Sequence, residues 1–234
     1  MSKEKKDNSF VRLSARYVSG VLMLGAVTAG LFWAAGRWDW WQGWAFLGFF
    51  SIYINALSIW LAKTNPDLYA ERSRIAENIE PWDHWVIRFY NASLIALILI
   101  GALDSGRWRW SSVTIWAQAL GWIGLCLAAV LIWHVLAVNN FSSSWVRIQD
   151  DRNQKVVTHG AYRWIRHPMY LGVAMSSVCV PLVLASYWAL VPGACVILVT
   201  VYRTAREDRT LLNKLDGYRE YAQRVRFRLI PGIW

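Results

Sequence analysis

Long apolar stretches separated by polar blocks dominate the pattern along this chain. Runs of the length that crosses a bilayer as a helix, ~20 residues, occupy positions 17–36, 43–62, 86–104 and 113–138. A further uncharged run extends from Pro168 to Tyr202 and is too long for one crossing. The pattern therefore predicts an all-α, polytopic transmembrane helical protein.

The long final run contains Pro181 and Pro192, and a turn at 185–187 would divide it into two short helices. Proline also kinks intact helices, so a single bent helix is the alternative, while the length of the run favours a helical hairpin. With the hairpin, the chain makes about six crossings. The polar, amphipathic stretch 65–82 is predicted to form a short helix on the membrane surface.

Composition agrees with a membrane protein. The chain is 56% hydrophobic and 17% charged, whereas an average soluble domain has roughly a quarter of its residues charged. Many of its 17 tryptophans flank the apolar runs, near 33–44 and 108–116, as in interfacial belts. A disordered chain, a coiled coil and an ordinary cytosolic enzyme fit poorly. Cys126, Cys179 and Cys195 lie in apolar runs without ligand spacing, so neither a disulfide framework nor a metal site is predicted.

The basic residues predict the orientation. With six crossings, 22 of the 25 lysines and arginines fall on the side that holds both termini and the loops 63–85 and 139–167. Basic loops stay in the cytoplasm, so both termini are predicted to be cytoplasmic, including the C-terminal tail. Because these charges lie between spans, acidic lipid headgroups explain the net charge of +10 better than nucleic acid does.

Polar residues that could carry chemistry concentrate in the last third of the chain. His167-Pro168 is typical of a helix start, where free N–H groups and the helix dipole would hold a carboxylate or phosphate. Arg203 and Glu207 are four residues apart and share a helix face. The hairpin would bring that face close to His167. The sequence thus predicts a pocket containing an anion-binding helix end, a carboxylate and a guanidinium.

Several motifs follow one another in this region: Gly160-x-Tyr162, Arg166-His167-Pro168-x-Tyr170, the hairpin, Arg203-x-x-x-Glu207 and a tyrosine near the end. In this order, residues 139–234 resemble the isoprenylcysteine carboxyl methyltransferase family and, more distantly, phospholipid methyltransferases. The resemblance implies a membrane enzyme that takes S-adenosyl-L-methionine from the cytoplasm and a lipophilic or lipidated acceptor from the bilayer. It divides the chain into N-terminal transmembrane helices, 1–138, and a cofactor-binding catalytic region, 139–234.

The resemblance also implies roles for individual residues. Arg203 matches the substrate-side arginine of the family and is the predicted catalytic residue. Two features depart from the family: the spacing between Gln149 and Val156 differs from the eukaryotic enzymes, and a Glu207-Asp208 pair replaces two glutamates. The positions that match cofactor contacts are Gln149, Gln154, Lys155, Val156, Val157, Tyr162, His167, Pro168, Met169, Tyr170 and Glu207.

The methyl acceptor is the open question. A carboxylate, such as that of a prenylated cysteine, is already ionised at pH 7 and needs no base, which agrees with a site that offers Arg203. An amine or a thiol must first lose a proton, so a phospholipid N-methyltransferase and a thiol S-methyltransferase are the alternatives. A membrane transporter is a different class, and the scarcity of charges within the spans speaks against it. A non-catalytic scaffold would leave the polar cluster 139–170 without a purpose.

Overall fold

The computed structural model describes residues 24–234, and every regular element in this range is helical. Helix α4 continues without a break as a π-helix over Ala102–Trp108, and single 3₁₀ turns lie at Asp150–Arg152 and Gly160–Arg163. The predicted first span, 17–36, begins outside the described residues. The α-helices are α1 (Leu24–Ala35), α2 (Trp41–Thr64), α3 (Pro66–Ser73), α4 (Asp83–Gly101), α5 (Ile115–Val138), α6 (Pro168–Val183), α7 (Leu190–Lys214) and α8 (Tyr218–Arg224).

Three of these helices are long and apolar enough to cross a membrane. They are Trp41–Thr64, Asp83–Trp108 and Ile115–Val138, and they coincide with three of the predicted spans. Helix α6 is apolar but has 16 residues, which reach about 24 Å at 1.5 Å per residue, short of a hydrocarbon core of about 30 Å. The prediction of an all-helical membrane protein is confirmed, whereas the count of six crossings stays a prediction.

The proline-interrupted run forms a helical hairpin and not one bent helix. Helix α6 ends at Val183 and α7 begins at Leu190, so the turn includes the predicted positions 185–187. Pro181 lies in the last turn of α6, and Pro192 lies in the first turn of α7, where its missing N–H removes no helical hydrogen bond. Ala185 takes the left-handed backbone conformation that reverses the chain, with φ of +57°.

Close helix packing fixes the hairpin against α5. A Cβ added to Gly121 of α5 would lie 2.8 Å from the Cβ of Leu182, and one added to Gly193 of α7 would lie 2.5 Å from the carbonyl oxygen of Ser177. Small residues allow such close approach between membrane helices. Leu97, Leu125, Val183 and Leu184 are buried together in the core between these helices.

A buried carboxylate anchors the turn of the hairpin. Asp104, in the π-helix, accepts hydrogen bonds from the N–H of Ser111 (2.8 Å) and from the hydroxyls of Ser111 and Ser186 (both 2.5 Å). The Ser186 oxygen in turn accepts from the N–H of Ala189 at the start of α7. The turn is thereby attached to the chain segment between α4 and α5.

At the other end of the bundle, α3 occupies the first part of the predicted surface stretch. Asn65 caps this helix by accepting the N–H of Leu68 (3.0 Å), and Pro66 stands at its first position. The Asn65 amide also donates to the side chain of Asn140 (2.7 Å), just after α5. Glu71 is buried and accepts from Arg147 (3.0 Å), so α3 is bound to the segment between α5 and α6.

Candidate functional site

A cavity of about 420 Å³ lies where the segment between α5 and α6 meets the start of α6 and the second half of α7. Helices α3 and α4 contribute Arg72, Ile87 and Tyr90 to its wall. Pro168 is buried at the first position of α6 and stands outside the lining. All the other predicted site residues line the cavity: Gln149, Gln154, Lys155, Val156, Val157, Tyr162, His167, Met169, Tyr170, Arg203 and Glu207.

The C-terminal tail holds the start of α6 in place. The N–H of His167 donates to the carbonyl of Arg228 (2.9 Å), and the N–H of Tyr170 turns back to the carbonyl of His167 (3.1 Å). The sequence predicted free amide groups in this turn as an anion site. In the structure the first of these amide groups, that of His167, already donates to the tail. Fewer amide groups are therefore left for an anion than the sequence predicted.

Asp208 is the centre of the polar network behind this helix start. The buried carboxylate accepts from Arg166 (2.8 and 2.9 Å), Arg228 (2.9 Å) and the hydroxyl of Tyr218 (2.9 Å), and it lies 3.2 Å from Nε2 of His167. Burial alone would raise the pKa of Asp208, but the hydrogen bonds from His167 and Arg228 and the charge of Arg166 outweigh it. The pKa of Asp208 is therefore held well below its usual range, and the group is an anion at neutral pH.

Glu207, the next residue, faces the cavity instead. The hydroxyl of Tyr170 donates to one of its carboxylate oxygens. Among residues 24–234, this is the single side-chain hydrogen bond that Glu207 makes. The Tyr170 ring also stacks on the ring of His167, with 5.9 Å between centroids. The arrangement leaves a carboxylate with spare acceptor capacity at the cavity wall, beside two aromatic rings.

Arg203 lies one turn before Glu207, with its guanidinium already paired. Its Nε and one Nη donate to the two oxygens of Asp83 (2.8 and 2.9 Å), and that Nη also donates to the carbonyl of Ser144 (2.9 Å). Asp83 is fully buried at the start of α4 and also accepts from the N–H of Val146 (2.8 Å). Arg203 therefore joins α7, α4 and the α5–α6 segment, and the predicted substrate-side arginine is charge-compensated.

The two predicted glutamines shape one wall of the cavity. The side-chain amide of Gln149 donates to the carbonyl of Phe141 (2.7 Å), and its oxygen accepts from Arg152 (2.6 Å). The Gln154 side chain accepts from the N–H of Gln149 (2.8 Å). Both side chains are engaged in holding the segment in shape, so they set the position of the backbone that follows, including 155–157.

The Gly-x-Tyr motif has a steric and a hydrogen-bonding basis. Gly160 has φ of +62°, and a Cβ there would lie 2.5 Å from Nε2 of His134 in α5. The following Tyr162 is buried, with its hydroxyl accepting from Asn139 (2.7 Å) and its carbonyl accepting from the hydroxyl of Tyr221 (2.8 Å). These contacts bring the end of α5, the 3₁₀ turn and α8 together around the cavity.

Sequence reasoning missed several residues of the site. Asp83, Asn139 and Tyr218 all hold predicted site residues in place, yet no role was assigned to them. Asn139 directly follows one apolar run and Asp83 lies three residues before another, and an amide or charged side chain at such a position is the available sequence signal. Asp208 was compared with Glu207 as a second acidic residue, whereas the structure gives the two carboxylates different surroundings.

The cavity combines features suited to a small ligand of mixed charge. Among the described residues, its lining includes one underused carboxylate, four guanidinium groups, several aromatic rings and apolar side chains such as Val156 and Val173. Its size falls in the range of small-molecule sites. Within residues 24–234, no three His, Cys, Asp or Glu side chains come together as potential metal ligands.

Comparison with known proteins agrees with the motifs. Residues 122–213 match the model of the isoprenylcysteine carboxyl methyltransferase (ICMT) family. This stretch contains the second half of α5, the hairpin and every predicted site residue. The predicted resemblance to this family is confirmed.

One curated relative and one solved structure extend the comparison. The cobalt-zinc-cadmium resistance protein CzcN of Cupriavidus metallidurans is 31% identical over 150 residues, which is 60% of this chain. The chain spans 58% of that relative's length. The structure of the eukaryotic intramembrane Ras methyltransferase ICMT matches with a TM-score of 0.53 and 19% identity, covering 92% of this chain and 86% of that one. The chain shares the fold of that structure and is an integral membrane protein.

Proposed function

We propose that this protein is a membrane methyltransferase that moves the methyl group of S-adenosyl-L-methionine to a lipophilic carboxylate, such as that of a prenylated cysteine. One observation carries the proposal: a single cavity gathers the motif residues within the family match, with the Tyr170–Glu207 pair in its wall. The alternative acceptors, an amine headgroup and a thiol, are tested below.

The cavity fits the cofactor in charge and shape. S-adenosyl-L-methionine supplies, when bound, a methyl group on a sulfonium that is already activated for transfer. Glu207 would attract the positive charge or accept hydrogen bonds from the ligand, and the ring of Tyr170 lines the cavity beside it. Val156 and Val157, in the segment between α5 and α6, add an apolar surface to the lining.

The other part of the cavity suits a lipophilic acceptor. Its lining includes Ile87 and Tyr90 of α4, Val173 of α6 and Thr200 of α7, and α4 belongs to a helix long and apolar enough to cross a membrane. A carboxylate needs no general base, because it is ionised at pH 7. The contribution of the protein is then to align the acceptor with the methyl group and to keep water away.

The proposal includes the predicted topology, six crossings with both termini and the cavity on the cytoplasmic side. A membrane-impermeant maleimide added to intact cells tests it, with the three native cysteines as background. We expect labelling of Trp110→Cys and protection of Asn213→Cys, both at exposed positions. Labelling of Asn213→Cys in intact cells would overturn the orientation.

Methyl transfer is tested directly with purified protein in lipid nanodiscs and methyl-labelled S-adenosyl-L-methionine. The acceptors are N-acetyl-S-farnesyl-L-cysteine, its carboxamide, phosphatidylethanolamine and farnesyl thiol. We expect label in the acid alone, as a base-labile ester, and loss of it in Glu207→Gln but not in Glu220→Gln, which stands on the exposed face of α8. Label in the amine or the thiol would exclude the carboxylate acceptor, and no transfer to any of the four would exclude the proposed activity.

A further inference from the structure

Arg72 of α3 lines the same cavity as Arg203, together with Arg147 and Arg166. To the described residues its guanidinium makes one hydrogen bond, from an Nη to the carbonyl of Ser142 (2.8 Å). The Nε and the other Nη have no partner among residues 24–234. These two nitrogens form one edge of the guanidinium, and such an edge can bind a carboxylate through two parallel hydrogen bonds.

The charges around Arg72 are unusual for a half-buried arginine. Arg203 has Asp83 as its counter-ion, and the neighbouring Arg74 and Arg147 share Glu71. Within the described part of the chain, Arg72 has no carboxylate within 4.0 Å. Burial and the nearby positive charge of Arg203 both lower the pKa of Arg72. A half-buried cation beside a like charge is costly unless an anion joins it.

We propose that Arg72 is a carboxylate-binding residue of this cavity. The assignment of that carboxylate rests on the proposed function, which offers two sources: the acceptor and the methionine part of the cofactor. The contacts favour the acceptor. They lead from Glu207 to Tyr170 and on to Arg203, whose guanidinium carbon lies 5.6 Å from the Tyr170 ring centre. Arg203 is the member of this series whose charge acts on Arg72, and within residues 24–234 no hydrogen bond or ion pair joins Arg72 to Glu207.

The variants separate charge, shape and structural support. Arg72→Gln removes the charge but keeps an amide that can donate to the Ser142 carbonyl. Arg72→Lys keeps the charge and removes the forked geometry. Arg88→Gln is the matched control, because Arg88 is exposed on α4 and does not line the cavity.

The measurement is equilibrium binding to protein in nanodiscs, which requires no turnover. One ligand pair is N-acetyl-S-farnesyl-L-cysteine and its carboxamide, and the other is S-adenosylhomocysteine and 5′-methylthioadenosine, which lacks the carboxylate. We expect the wild type and Arg88→Gln to prefer the farnesyl acid over its amide by at least about tenfold, the scale of one forked ion pair. In Arg72→Gln this preference should disappear, with the affinity for the amide unchanged.

The two ligand pairs identify which carboxylate Arg72 binds. Loss of the preference within the farnesyl pair assigns Arg72 to the acceptor, and loss of affinity for S-adenosylhomocysteine but not for 5′-methylthioadenosine assigns it to the cofactor. Unchanged preferences in both pairs, in a variant that unfolds at the wild-type temperature, would overturn the proposal. If Arg72→Gln does not fold, Arg72→Lys decides: a several-fold smaller preference supports forked binding, and an unchanged one overturns it.

Failure of the proposed function gives a different result. If the wild type transfers no methyl group but its preference for a carboxylate still depends on Arg72, the anion site stands and the activity does not.

Discussion

The second half of α7 has an acidic residue on each of two faces, and the two carboxylates differ in their hydrogen-bond partners. Toward the cavity, Glu207 has the hydroxyl of Tyr170 as its side-chain partner among the described residues. Toward the C-terminal tail, Asp208 is fully buried and surrounded by two guanidinium groups, a tyrosine hydroxyl and an imidazole. The two carboxylates are neighbours in the chain, yet one is saturated and the other is not.

This difference distinguishes a carboxylate that supports the fold from one that has capacity to bind a ligand. A buried carboxylate whose acceptor sites are all used is costly to disturb and has no capacity for a ligand. Asp208 therefore fixes Arg166, His167 and the tail, and so builds the cavity wall. Glu207 keeps its acceptor capacity and lines the cavity. Variants on the two faces should accordingly change different quantities, stability on one face and affinity on the other.

The largest effect is expected for Asp208→Asn. The asparagine would leave Arg166 and Arg228 without their counter-ion, and loss of one partner from a buried ion pair costs about 3–5 kcal/mol. We expect a lower thermal unfolding temperature in detergent, together with faster proteolysis of the tail after α8. A variant as stable as the wild type would remove the distinction between the two faces.

Lowering the pH provides an independent test of the contribution that the Asp208 charge makes to stability. Its pKa is lowered in the folded protein, so its contribution to stability is complete above the unfolded value of about 3.9 and is lost as the pH falls toward the folded-state pKa. We expect the stability difference between wild type and Asp208→Asn to shrink as the pH is lowered from 7 to about 3. A difference that stays constant with pH would mean that the charge of Asp208 is not what stabilises the network.

On the cavity face, Glu207→Gln should weaken ligand binding and leave stability unchanged. The substitution keeps the volume and removes the charge, and a charge-assisted hydrogen bond contributes about 1.5–3 kcal/mol. Affinity for S-adenosylhomocysteine should fall about ten- to a hundredfold by calorimetry. Unchanged affinity would mean that Glu207 supports the fold and does not bind the cofactor.

Arg203→Lys tests a residue that lines the cavity and also joins α7 to α4 through Asp83. Lysine cannot reproduce the two parallel hydrogen bonds to Asp83, so the alignment of α4 with α7 at the cavity should loosen. We expect affinity for S-adenosylhomocysteine to be retained and methyl transfer to fall at least about tenfold, or roughly 1.4 kcal/mol of transition-state stabilisation. Arg206→Lys is the matched control, since that guanidinium lies over the ring of Trp82, 5.2 Å from its centre, outside the cavity lining. Wild-type turnover in Arg203→Lys would contradict this role.

The smallest effect is expected on the exposed face of α7. Arg209 is exposed there, and surface substitutions of this kind usually change stability by less than about 0.5 kcal/mol. Arg209→Gln should therefore match the wild type in unfolding temperature and in affinity for S-adenosylhomocysteine. A clear change in either quantity would show that the two-face division omits a third functional surface.

The sequence predicted the features that depend on local pattern. Three long apolar helices, the hairpin turn near Ala185 and the short helix after Asn65 follow from apolar length, proline placement and capping, all of which are local. The motif order identified the segments that form the cavity, because a family resemblance records positions in the chain. Those predictions required no knowledge of distant contacts.

Partner choice could not be predicted in the same way. The pairing of Arg203 with Asp83 joins residues 120 positions apart, and the amide of His167 is occupied by a carbonyl from the tail. Both depend on how helices pack, which spacing along the chain does not encode. The contrast between Glu207 and Asp208 has the same origin, since adjacent residues on a helix point about 100° apart and meet different elements.

Photo-crosslinking of methyl-labelled S-adenosyl-L-methionine to the purified protein tests the central claim most directly, that this cavity binds the cofactor. Irradiation followed by peptide mapping should place the label in segments 139–170 or 203–207, and excess S-adenosylhomocysteine should abolish it. Glu207→Gln should reduce the labelling and Glu220→Gln should not. Competable label elsewhere, for example in the apolar groove of α2 and α5 that contains Tyr53 and Trp133, would contradict the account.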